Sequence, residues 1–279
     1  MNYPQQSVGR DGSQVRHNPG PSRTSQAVAL TRASISRPHS LEGDPDGQRA
    51  LCAGLAFTLP AWLRPGIEVR TRFMDEQVLT AIGAGVRQVV ICGAGLDDRA
   101  LRFRTTGVRF FEVDHPITQA DKARRLRDMG VGIDGPTLAG CDFQSESIAG
   151  ALEACGHVAT LATLFLCEGL LVYLDQQAGR RLLTESASRA AIGSVLAASL
   201  ATHDSGLPAD EVAAAANARR RTGNSEPWQT ILPAGEYLAT LADAGWAVTG
   251  ITESSAPSAD VSHGRRSLLV TAAPVDGDQ

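Results

Sequence analysis

The sequence predicts a doubly wound α/β fold, on three observations. Short apolar runs recur through the middle of the chain, helical patterns separate them, and glycines or acidic residues stand where the runs end. Strands alternating with helices build a mostly parallel sheet covered on both faces. Gln88–Val89–Val90–Ile91–Cys92 is apolar enough for a central strand buried on both sides. A helix over 74–82 precedes it, stopped by Gly83 and Gly85. A second strand is expected at 108–113, with a helix opening at Pro116, then a weaker third strand at 137–141, a fourth at 161–167 and a fifth at 195–200. A helix over 234–244 and strands at 246–251 and 267–271 close the pattern.

Upstream, helical patterns run from Ser25 to the break at Pro38 and over 48–59, on either side of the turn-rich Gly43–Asp44–Pro45–Asp46–Gly47. Residues 1–23, rich in Gln, Ser, Gly, Pro and Arg, read as a disordered leader. A single domain is expected over 24–274, with 24–82 as an N-terminal helical cap, 203–232 as a polar, alanine-rich insertion or lid, and 275–279 as a tail.

Apolar residues make up 43% of the chain, enough for a sizeable core. A net charge of −4 argues against a nucleic-acid backbone as partner. The longest apolar run, 161–174, is too short to cross a bilayer and carries Glu168, so no membrane association is expected. The N-terminus lacks an apolar signal core, which points to the cytoplasm. Five cysteines without a Cys-x-x-Cys pair read as reduced core thiols, and no residues have metal-ligand spacing.

Ligands of open α/β sheets sit at the carboxyl ends of the strands. Four features fall there. Gly93–Ala94–Gly95 follows the central strand, with a helix expected near Leu96–Asp97 whose free N–H groups face the same space. Asp114 ends the second strand; it either accepts bonds from ribose hydroxyls or caps the helix at Pro116. Asp142–Phe143 follows the third strand, where a carboxylate and a ring suit an adenine, or form an ordinary loop. Glu168–Gly169 follows the fourth, a charge that needs a ligand or an arginine partner amid so much apolar surface. Upstream, Arg70 or Arg72 can hold a carboxylate, or form a surface pair with Asp75 or Glu76.

Together, Arg70–Thr71–Arg72–Phe73–Met74–Asp75, Val89 to Asp97, Phe111 to Pro116 and Phe165 to Leu174 resemble the leucine carboxyl methyltransferase-like family, including its bacterial O-methyltransferase branch, from about Ser25 to Ala273. The resemblance implies a seven-stranded class I methyltransferase sheet and S-adenosylmethionine as cofactor. It places one of Arg70 and Arg72 on the cofactor carboxylate, Gly93, Ala94 and Gly95 along its methionine side, and Asp114 on the ribose. Asp142 and Phe143 would lie by the adenine and Glu168 near the amino group. Asp98 stands where bacterial relatives often have Thr, and Cys167 where many have Trp.

A small-molecule carboxylate or hydroxyl is the expected acceptor; a protein C-terminal carboxylate is the alternative. His203, after the fifth strand, is the candidate general base for a hydroxyl acceptor. The insertion, with Arg219–Arg220–Arg221 and Trp228, is the expected acceptor-reading surface. Two further readings compete: an NAD(P)-dependent oxidoreductase, and a nucleoside-binding protein without turnover. A dinucleotide fingerprint would put its third glycine at Asp98, whose carboxylate would repel a pyrophosphate.

Overall fold

The computed structural model describes residues 21–56, 64–132, 135–203, 228–253 and 265–275. Three helices come first: α1 (Arg23–Ala33), α2 (Gly47–Leu51) and α3 (Arg64–Gly83). The alternating part runs β1 (Gln88–Cys92), α4 (Arg99–Arg102), β2 (Arg109–Asp114), α5 (Pro116–Asp128), β3 (Thr137–Gly140), α6 (Ile148–Ala154), β4 (Thr163–Cys167), α7 (Gln176–Ala187) and β5 (Val195–His203). A two-residue β6 (Leu232–Pro233), α8 (Ala234–Asp243), β7 (Trp246–Glu253) and β8 (Arg265–Pro274) complete it.

The sheet order is β3-β2-β1-β4-β5-β8-β7, with β6 beside β5. This is the expected seven-strand path plus one short addition. Pairing is parallel through β5, and β8 is antiparallel to both its neighbours. The chain winds outward from β1 to β3, then crosses back to lay β4 against β1. The strand order therefore reverses between β1 and β4. Side chains alternate between two cores: Val90, Phe111, Phe165 and Trp246 on one face, Val89, Ile91, Leu164 and Leu166 on the other, where Met74 and Val78 of α3 cover them.

Several boundaries differ from the sequence reading. α3 starts ten residues earlier than expected, with Pro65 tolerated in its first turn. Its buried stripe, Ile67, Thr71, Met74, Asp75, Val78 and Ala81, includes two polar residues, which interrupts the apolar period. α2 ends at Leu51 rather than near 59, because the chain turns at Gly54 with φ +77°. α1 begins at Arg23, inside the expected leader, because the Ser22 hydroxyl accepts the Ser25 N–H at 3.0 Å. Residues 1–20 of the leader, 204–227 of the insertion with Arg219–Arg221, and the tail beyond Val275 lie outside the described residues.

At the amino ends of the strands, His157 is buried with Phe111 against its ring. Arg189 Nε donates to its Nδ1 at 3.2 Å, so Nε2 carries the hydrogen and donates to Thr163 Oγ1 at 3.0 Å. Burial, then Arg189 and Arg109, push its pKa down to about 4. An unfolded chain binds this proton near the ordinary value of 6.5, so His157 destabilises the fold as pH falls from 6.5 toward 4. Urea titrations across that window will show a shallower pH slope for His157→Gln than for the unsubstituted protein.

Candidate functional site

The strand order reverses between β1 and β4, the place where open α/β sheets bind ligands, and at the carboxyl ends there Gly93 and Glu168 follow the paired residues Cys92 and Cys167. The Gly93 N–H donates to the Val113 carbonyl at 2.8 Å, tying the loop to β2. Gly95 has φ +50°, and a Cβ there would lie 2.6 Å from the Ser25 Cβ on α1. The N-terminal helix therefore passes directly over this glycine. The Gly95 N–H donates to Asp114 Oδ2 at 2.6 Å, and the His115 N–H to Asp114 Oδ1 at 2.6 Å. Asp114 is not the helix cap. His115 takes that place, its Nδ1 accepting the Ile117 N–H. Burial raises the Asp114 pKa, with the two N–H bonds pulling the other way. The residue is half-buried, and each carboxylate oxygen, with one N–H bond, keeps the capacity to accept another.

The next helix does not begin at Leu96–Asp97 as expected. It begins at Arg99 and spans four residues, because Asp97 Oδ1 accepts the Arg99 N–H at 2.8 Å and holds the chain in a turn. Asp98 is wholly buried, bonded to Arg37 Nη1 at 2.6 Å and Arg102 Nε at 2.7 Å. It does not face a ligand, which corrects the repulsion argued from sequence. What disfavours a pyrophosphate is that the helix is so short and its first N–H is taken.

Around this turn lies a buried lattice of charge. Arg99 donates to Asp75 Oδ1 (2.7 Å), Asp97 Oδ2 (2.5 Å), Glu168 Oε2 (2.8 Å) and the Thr71 carbonyl (3.1 Å). Arg32 of α1 pairs with Asp97 at 3.1 Å and Glu168 at 2.7 Å. Arg37 grips both oxygens of Asp75. Burial alone would raise the Glu168 pKa, but Arg32, Arg99 and Arg70 together hold it well below the usual carboxylate range. Asp97 is lowered to about 2 against the same pull of burial, by Arg99 and Arg32.

The two candidate arginines separate here. Arg70 Nε donates to Glu168 Oε1 at 3.0 Å, with its side chain 25% exposed. A Cβ on Gly169, which has φ +63°, would lie 3.2 Å from Arg70 Nη1, so the glycine makes room for the guanidinium. Arg72 points outward to Glu68 on its own helix, not to Asp75 or Glu76. Arg70→Ala is expected to weaken binding of S-adenosylhomocysteine by about 10-fold or more, the value of a charged hydrogen bond, and Arg72→Ala to change it little. Calorimetry on both variants checks this.

Asp142 is partly exposed and turns its carboxylate onto the Gln144 N–H and the Ser145 hydroxyl, both at 3.0 Å. Phe143 packs into the main core, so its ring does not offer the open face that an adenine cover needs. Ala94 is buried behind the glycine loop. His203 stands at the carboxyl end of β5, at the same end of the sheet. The segment at Gln229–Thr230 is fixed to the turn that follows β4: Gln229 donates to the Val172 carbonyl at 2.8 Å and the Tyr173 carbonyl at 2.6 Å. Cys92, Cys141 and Cys167 are buried free thiols, and no metal-binding group occurs among the described residues. No helix among them is long and apolar enough to cross a membrane.

Sequence reasoning missed Arg32, Arg37, Arg99 and Arg102. The available signal was Asp97–Asp98–Arg99, three charges in a turn that leaves a fully buried strand.

The leucine carboxyl methyltransferase family model matches residues 31–187, more than half of the chain. A Parafrankia protein is 35% identical over 255 residues, 83% of this chain and 78% of its own. A Streptomyces coelicolor protein is 40% identical over 129 residues and a Frankia alni protein 38% over 145. These two matches cover about half the length of each relative. All three carry the provisional name S-adenosyl-L-methionine-dependent methyltransferase. Among solved structures, one from Thermobifida fusca, provisionally titled a methyltransferase, superposes with TM-score 0.61 at 16% identity, covering 92% of this chain and 96% of that one. Geranyl diphosphate C-methyltransferase from Streptomyces coelicolor gives 0.52 at 15%, covering 91% and 98%. These likenesses establish the class I methyltransferase fold. Matched along this sheet and by relatives such as the Parafrankia protein, the chain belongs to the leucine carboxyl methyltransferase family.

Proposed function

We propose that the chain is an S-adenosylmethionine-dependent O-methyltransferase of the cytoplasm that methylates a carboxylate or hydroxyl of a small molecule. The carrying observation is a leftover charge. In the buried lattice Arg32, Arg37, Arg99 and Arg102 balance Asp75, Asp97, Asp98 and Glu168, and Arg70 is a fifth guanidinium, partly exposed beside Gly169. Across the glycine loop stands the Asp114 carboxylate with acceptor capacity to spare. A cation for an amino-acid carboxylate and an anion for ribose hydroxyls, separated by a close-approach loop, fit the methionine and nucleoside ends of this cofactor.

When bound, the cofactor supplies a methyl group on a sulfonium, ready for in-line displacement. Arg70 holds its carboxylate, with Glu168 aiming the guanidinium and adding negative charge near the amino group. Gly93, Ala94 and Gly95 line the methionine side, Asp114 takes the ribose, and Asp142 with the Phe143 backbone borders the adenine. A carboxylate acceptor is ionised at neutral pH and needs no base. For a hydroxyl acceptor, His203 takes the proton.

Calorimetry with S-adenosylhomocysteine and with NAD tests the cofactor: binding of the first and not the second is expected, and the reverse defeats the reading. Incubation with S-adenosylmethionine and a panel of acids and phenols should add one methyl to a small molecule. A methyl found only on a peptide C-terminus would establish the protein-carboxylate alternative instead.

A further inference from the structure

Beside the turn that follows the glycine loop lies a charged pair to which no role has been given above. Lys122 of α5 and Glu112 of β2 are almost wholly buried and joined as an ion pair. The Lys122 ammonium also donates to the Asp97 carbonyl at 2.6 Å. Glu112 lies two residues before Asp114, on the same face of β2. Gln119, one turn before Lys122, donates to the Glu112 carbonyl at 2.7 Å and the Ala139 carbonyl at 3.3 Å. One helix thus grips the turn after the glycines, the strand ending in Asp114, and the strand before Asp142.

Burying such a pair is costly, and apolar residues of similar volume often serve stability equally well. The carbonyl that Lys122 holds belongs to the residue whose side chain anchors Arg32 and Arg99. We infer that Lys122 is a positioning residue: it sets the glycine loop at its working distance from Asp114 and so sets affinity for the cofactor without touching it. This rests on the cofactor reading above. Burial pushes Glu112 up to about 7, with Lys122 opposing and Asp97 and Asp114 adding to the rise. The Glu112 carboxylate is therefore poorly stabilised as a charge, as expected of a group kept for placement rather than for stability.

Lys122→Met alone would strand the Glu112 carboxylate, so the test uses Glu112→Leu/Lys122→Met, which removes both charges. Glu112→Gln alone keeps the ammonium on the Asp97 carbonyl. Urea midpoints and calorimetric affinity for S-adenosylhomocysteine are measured for all three proteins. The double variant is expected to keep most of its stability yet bind about 10-fold or more weakly, the scale of a loop misplaced by a fraction of an ångström. Its KM for S-adenosylmethionine should rise while kcat changes little, and Glu112→Gln should lose at most a few-fold. Equal affinity of the double variant and the unsubstituted protein would overturn the positioning role and leave the cofactor reading standing. Loss of affinity only in proportion to lost stability would overturn it too. Failure of the unsubstituted protein to bind would instead remove the cofactor reading, and this inference with it.

Discussion

Arg99→Met is expected to destabilise the fold by about 3–5 kcal/mol, the range for breaking one side of a buried ion pair. Arg99 is fully buried and bridges α3, the glycine-loop turn and the end of β4. Without it Asp75 keeps Arg37, Asp97 keeps Arg32, and Glu168 keeps Arg32 and the partly exposed Arg70, so each of three buried carboxylates loses a fully buried partner. The pH dependence follows from the sign of the shifts. Glu168 and Asp97 have folded pKa values below their unfolded ones, so their contribution is full above about 4.5 and lost as pH falls toward 2 and below. The gap between Arg99→Met and the unsubstituted protein should therefore narrow on acidification through that window. Urea unfolding at pH 7 and pH 3 measures both; a shift under about 1 kcal/mol at pH 7 would show the lattice to be dispensable.

Asp114→Asn should cut affinity for S-adenosylhomocysteine by about 10²-fold. Each hydrogen bond to a charged acceptor contributes about 1.5–3 kcal/mol. Asparagine also has one acceptor oxygen where aspartate uses two, so either the Gly95 or the His115 N–H loses its partner. The loss therefore combines a weaker ribose contact with a loosened loop. Unchanged affinity would mean that the nucleoside lies elsewhere.

The strands were readable because a sheet buried on both faces writes itself as unbroken apolar runs, as in Val89–Ile91 and Leu164–Leu166. The positions of Asp114 and Glu168 were readable because a charge at the end of such a run has few reasons to be there. The cap was harder. Arg32 and Arg37 sit in segments with the composition of a solvated surface, and only tertiary contacts reveal that their heads are buried. Thr71 and Asp75 hid most of α3, since a helix face that packs through ion pairs carries no apolar period. Phe143 misled in the other direction: an aromatic beside a candidate acid reads as a ligand cover, but its ring was needed by the core. Lys122 gave no local signal, because its partners lie 10 and 25 residues upstream.

The antiparallel β8 bears on how the molecule comes to be made. Its residues are slotted between β5 and β7, reaching back some seventy positions to the strand beside them. During synthesis the first five strands can pair as they emerge, but the outer side of β5 stays a bare edge until Pro274 has cleared the ribosome. Nascent chains stalled before that point carry an exposed, apolar template for wrong pairing, and they are the species that a chaperone would most need to shield.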